Sequence, residues 1–138
     1  MNEKEILKFF SRKEKREFKG MVYGLIGDLG AGKTYLVKQI LGLFSNEFVN
    51  QVHSPSFNLC NIYEIMDLTV HHFDLYRIES DDELINIGIW DSLENTSNLI
   101  FIEWVDMFPK LAAKCDRIIK IEVCEDRRVY KMIDWNQI

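Results

Sequence analysis

A chain of 138 residues, 47% hydrophobic and 28% charged, has the make-up of one globular unit, and this excludes a disordered chain. A net charge of −5 excludes tight, unaided binding to a nucleic-acid backbone, which needs a basic face. The apolar runs fall far short of the roughly 18 residues that span a bilayer, and "MNEKEILK" lacks a signal-peptide layout. We therefore expect a single domain over 1–138, cytoplasmic and without a membrane partner. The three cysteines, Cys60, Cys115 and Cys124, form no CxxC pair and suit packing in a reducing compartment.

Glu3 to Phe18 carries Ile6, Leu7, Phe9 and Phe10 and predicts a helix ending before Gly20. Its basic cluster, Lys8 to Lys19, is diluted by Glu14 and Glu17 and reads as a solvated face. "MVYGLIG" predicts a buried strand, and Lys33 to Phe44 a helix with Leu36, Val37, Ile40, Leu41 and Phe44 on one stripe. "FVNQV" predicts a short strand broken at Ser54-Pro55. Phe57 to Met66 and Val70 to Arg77 predict an antiparallel hairpin around "MDLT". Ser80 to Leu93 predicts one or two short helices interrupted near Gly88, then "NLIFIEW" a buried strand and "DMFPKLAAK" a helix. "RIIKIEV" and "RVYKMID" predict a hairpin turning at Glu125-Asp126. Strands alternating with helices and flanked by hairpins imply an α/β fold, a P-loop NTPase-like domain whose mixed central sheet is partly parallel.

Gly27-Asp28-Leu29-Gly30-Ala31-Gly32-Lys33-Thr34 matches G-x-x-x-x-G-K-[ST] between a predicted strand and a predicted helix. Glycines let successive N–H groups turn inward against phosphate oxygens, and the helix N-terminus adds its positive end. Lys33 is expected to reach the β- and γ-phosphates from outside the core, and the Thr34 hydroxyl to take a Mg²⁺ position. The loop is thus expected to hold a nucleoside triphosphate. Asp28 either orients a group near the γ-phosphate or only caps a turn.

Such a site also needs an acid at the end of a second buried strand. Glu103 ends "NLIFIE" and Asp74 sits in "HHFDLYR", so both are candidates. A buried carboxylate is costly alone, so even a structural Glu103 needs a partner. Trp104 packs either over the site or in the core, and Arg77 pairs with a phosphate or with a nearby carboxylate. His71 and His72 point to opposite faces of a strand and read as structural rather than as a shared metal site. His53, beside Ser54-Pro55, decides little.

In order along the chain, "GDLGAGKT", "SPSF" with Tyr63 behind it, "HHFDLYR", "NIGIWDSL" and "IFIEW" resemble the TsaE (YjeE) family from about Tyr23 to about Arg128. That family is the P-loop ATPase of bacterial tRNA threonylcarbamoyladenosine biosynthesis. The resemblance implies a compact α/β domain that binds ATP and Mg²⁺. It also implies work with the partner proteins TsaB and TsaD, which transfer the threonylcarbamoyl group to the tRNA. Carried over by motif, Thr34 would bind the metal and Asp74 would be the Walker B-type acid. Glu103 and Trp104 would lie near the γ-phosphate, and "SPSF" would be a phosphate-sensing loop. Two departures stand out: Ser56 replaces the usual threonine of "SPTF", and "NEKEILKFF" does not match the family's Thr-containing stretch near the adenine.

Two other enzyme readings compete. A small GTPase would need Asn/Thr-Lys-x-Asp, to which Ala113-Lys114-Cys115-Asp116 comes nearest, but alanine cannot read a base. A small-molecule or nucleoside kinase would use Asp74 as a base and Arg77 on phosphate, yet the chain leaves little for a second pocket and a lid. A third reading, from another class, is a nucleotide-dependent interaction module with negligible turnover.

Overall fold

The computed structural model describes residues 1–45, 59–65 and 67–137. The predicted "FVNQV" strand, His53 and the "SPSF" loop lie outside the described residues. The strands are β1 (Val22–Ile26), β2 (Cys60–Ile65), β3 (Leu68–Asp74), β4 (Asn98–Glu103), β5 (Arg117–Cys124) and β6 (Arg127–Ile133). They form one sheet in the order β2-β3-β4-β1-β5-β6. β3, β4, β1 and β5 run parallel, while β2 and β6 close the two sides as antiparallel hairpin partners. The sheet is therefore mixed, as its alternation with helices predicted.

Alternation along the strands separates two apolar layers. Tyr23, Leu25, Leu99 and Phe101 face α1 (Glu3–Ser11) and α2 (Lys33–Gly42), where they meet Ile6, Phe10, Leu36, Val37, Ile40 and Leu41. Val22, Ile100 and Ile102 face the other way, onto Leu84 of α3 (Asp81–Asn86), Ile89 of α4 (Ile89–Glu94) and Leu111 of α5 (Pro109–Ala112). α3 and α4 meet at Gly88, whose φ of +77° is left-handed and ends one helix as the next begins.

Two elements differ from expectation. The predicted helix to Phe18 stops at Ser11, and a 3₁₀ turn follows over Lys15–Phe18. A continuous helix would turn Phe18 about 80° off the stripe of Phe10; the break brings the two rings together, centroids 6.2 Å apart. "DMFPKLAAK" is likewise not one helix but a 3₁₀ turn over Val105–Met107 and then α5 from Pro109. Proline disfavours helical backbone in the residue before it, and Phe108 has φ −132° and ψ 88°.

Among the described residues, no helix is long and apolar enough to cross a membrane. All three cysteines are free. Burial pushes the thiol of Cys60 up to about 11 and that of Cys115 to about 12, whereas Cys124 is exposed. Because the thiolate is the reactive form, iodoacetamide at pH 8 should label Cys124 first, and the other two only once the chain unfolds. Peptide mapping by mass spectrometry checks this; equal labelling of all three would contradict the packing.

Candidate nucleotide-binding site

The loop from β1 to α2 is closed by a turn in which the Ala31 N–H donates to the Asp28 carbonyl at 2.9 Å. Gly30 and Gly32 have φ of +81° and +102°, values that residues with a Cβ rarely adopt. Gly32 is the N-cap of α2, and a Cβ there would come within 3.0 Å of Arg128 Nε. The first N–H groups of α2 have no partner within the helix, so loop and helix end together suit an anion.

Lys33 departs from expectation. It is buried, 5% exposed, and its Nζ donates to the carbonyls of Gly27 (2.7 Å) and Asp28 (3.0 Å). The Trp104 ring lies 4.1 Å from that nitrogen. An ammonium tolerates burial when acceptors and an aromatic face meet it. Burial pulls the Lys33 ammonium below the ordinary lysine range, opposed by Glu103, Asp74, Asp106 and Asp28.

The Thr34 hydroxyl donates to Glu103 Oε2 at 2.7 Å. Glu103, at the end of β4, is 3% exposed, and His72 Nε2 lies against the same oxygen. The carboxylate that needed a partner thus has two. Asp74 ends β3 beside Glu103 in register, and its Oδ1 accepts from the Tyr76 N–H at 3.0 Å. Leu29, Gly30, Gly32, Lys33, Thr34, Asp74, Glu103 and Trp104 line one cleft of about 230 Å³.

Ala31 is buried beneath the loop, while exposed Asp28 lines an adjoining cleft of about 380 Å³ with Trp104, Asp106, Lys120 and Glu122. Trp104 is left-handed at φ 63°, a conformation that costs a bulky residue of order 1–3 kcal/mol. Its N–H donates to the Leu25 carbonyl at 3.0 Å, and its ring packs on Tyr76 with centroids 4.9 Å apart. Arg77 is exposed and lines a small opening with Asp74 and Tyr76.

His71 and His72 do point apart, and His71 Nδ1 pairs with Ser92 Oγ on α4 at 2.9 Å. His72, expected to be structural, touches Glu103. The signal was present as period two, since His72 and Asp74 share a strand face. Arg128, which passes beside Gly32 and over the Tyr35 ring (5.2 Å), had no local signal because the hairpin register brings it there. With Gly30, Met1, Asn2 and Glu5 it lines a cleft of about 780 Å³ next to the loop. Ala113 to Asp116, the nearest guanine-reading match, lies at the other end of the sheet. There Asp116 Oδ2 accepts from the Val22 N–H at 2.7 Å, at the start of β1.

A family model described as "Threonylcarbamoyl adenosine biosynthesis protein TsaE" matches residues 1–132. The chain belongs to the TsaE family. It is similar to the Rickettsia felis "tRNA threonylcarbamoyladenosine biosynthesis protein TsaE", 36% identical over 104 residues, which are 75% of this chain and 59% of that protein. The Haemophilus influenzae protein of the same description is 36% identical over 113 residues, 82% of this chain and 69% of that one. The match thus spans a little under six tenths of the Rickettsia felis relative's length. The crystal structure of Bacillus subtilis YdiB shares the fold, with a TM-score of 0.60 at 23% identity over 97% of this chain and 80% of that one.

In this TsaE chain the donor set fits the groups that a P-loop takes. A left-handed glycine cradle and a buried ammonium suit phosphate, and a hydroxyl beside a carboxylate suits a hard cation. Among the described residues, no three His, Cys, Asp or Glu side chains cluster to hold a metal. Removing the Lys33 ammonium deletes a charge-assisted hydrogen-bond donor worth about 1.5–3 kcal/mol. Lys33→Ala should therefore weaken triphosphate binding by roughly 10- to 100-fold in titration calorimetry, with circular dichroism unchanged; unaltered affinity would refute the loop's assignment.

Proposed function

We propose that this chain binds ATP with Mg²⁺ and hydrolyses it, in support of tRNA threonylcarbamoyladenosine modification by TsaB- and TsaD-like transferase proteins. Membership of the TsaE family supports the pathway, and the Thr34–Glu103 hydrogen bond at the head of α2 carries the chemistry. It joins the hydroxyl of the phosphate-binding motif to a buried strand-end acid. The loop N–H groups and Lys33 take the phosphates. Thr34 and Glu103 take the metal side, where the ion, when bound, offsets charge on the phosphate oxygens. We assign the nucleoside to the cleft of about 780 Å³ that adjoins the loop and is lined by Gly30, Arg128 and the first residues of the chain.

Motif resemblance alone gave the metal role to Asp74 and the γ-phosphate role to Glu103. The hydrogen bond from Thr34 supports the opposite division, with Asp74 toward the attacking water. Glu103→Gln should then abolish the gain in ATP affinity that Mg²⁺ brings. Asp74→Asn should leave binding nearly intact and slow single-turnover hydrolysis by about 10²- to 10⁴-fold, the worth of a positioned base. Calorimetry with and without Mg²⁺, beside rapid-quench hydrolysis, gives both numbers for each variant; the converse pattern would restore the motif-based division.

Because Ala113-Lys114-Cys115-Asp116, the nearest guanine-reading match, lies at the other end of the sheet, ATP should outcompete GTP for the site, and competition against labelled ATP measures it. Hydrolysis by the isolated chain should be slow and rise when transferase proteins are added, since partner-supplied groups contribute roughly 10³- to 10⁵-fold in related sites. A fast rate indifferent to any partner would contradict this reading.

A further inference from the structure

We infer that His72 is a positioning residue that orients the Glu103 carboxylate for the metal side of the site. The inference rests on the role proposed above for Glu103. His72 is wholly buried in β3, beside Phe101 of β4 in register. Phe101 and Glu103 share one strand face, as do His72 and Asp74, so the imidazole lies on the α2 side next to the carboxylate. His72 Nε2 and the Thr34 hydroxyl both meet Oε2 of Glu103. Two donors pin one oxygen and leave Oε1 to serve a cation or its bound water.

The choice of histidine carries information. A carboxylate oxygen accepts, so Nε2 serves as the ring's donor to it. Nδ1 is buried without a hydrogen-bond partner among the described residues. The unpartnered Nδ1 costs stability, and orienting Glu103 is a reason for a fold to carry it. The hydrogen-bonded neighbours of metal-side carboxylates set metal affinity in this way.

The test compares affinity for a non-hydrolysable ATP analogue by titration calorimetry, with and without Mg²⁺. His72→Leu removes the donor, His72→Asn keeps an amide too short to reach Oε2, and His72→Gln places an N–H near the position of Nε2. In His72→Leu the Mg²⁺ concentration giving half the effect should rise about 10- to 100-fold, with metal-free affinity unchanged. His72→Gln should recover most of the loss. A merely structural histidine would lower the melting temperature and leave the Mg²⁺ dependence as it was. If His72→Leu does not fold, the Asn and Gln variants decide: a rise confined to Asn supports positioning. Mg²⁺ dependence equal to that of the parent in every folded variant overturns it. If the parent chain binds the analogue equally with and without Mg²⁺, the role of Glu103 falls first, and this inference with it.

Discussion

The parallel register that sets Leu25 beside Glu103, and Glu103 beside Asp74, is the constraint on which the rest of this end of the molecule depends. Three strands finish at one level, so the glycine loop leaving β1 meets two carboxylates from its neighbours. Because side chains alternate along a strand, His72, Asp74 and Glu103 all fall on the face that α2 covers. A slip of one residue in β3 or β4 would send an acid into the opposite apolar layer. The helix begins at Lys33, so Thr34 in its first turn meets Glu103 while its later turns fill the core with Leu36, Val37, Ile40 and Leu41.

Burial sharpens what the register assembles. Among the described residues, the buried polar or charged side chains are Lys33, His72, Asn98 and Glu103, and all but Asn98 belong to this one site. Isolated charges in a low-dielectric interior are expensive. Here each is met: the ammonium by two carbonyls and an indole, the carboxylate by a hydroxyl and an imidazole. A core serving stability alone would fill these positions with aliphatic side chains. That polar burial concentrates where the parallel strands end is the pattern expected of a ligand site in an open α/β sheet.

The local parts of this arrangement were legible in the sequence. The P-loop is a contiguous motif whose meaning depends only on a strand before it and a helix after it, and both are present. β4 was readable because its six residues, Asn98–Glu103, are all buried and end in a carboxylate. What escaped depends on contacts between distant segments. His72 was read against its neighbour His71, when the contact that matters lies one strand away on Glu103. The burial of Lys33 required knowing where Trp104 falls, and Arg128 reaches Gly32 only through the β5–β6 register. The broken first helix is similar: local periodicity favoured continuity, and the meeting of Phe10 with Phe18 overrode it.

The seat of Trp104 has an optical consequence. Indole emission follows the electric field across the ring, and this ring lies 4.1 Å from the Lys33 ammonium. The other two tryptophans, Trp90 on α4 and Trp135 after β6, pack against the layer of the sheet opposite α2 and line none of the clefts around the loop. Any anion drawing the ammonium away from Gly27 and Asp28 changes the charge beside one indole and leaves the other two in their surroundings. The protein therefore carries a built-in chromophore at the point where its loop meets a ligand, and occupancy can be followed in the near ultraviolet without a label.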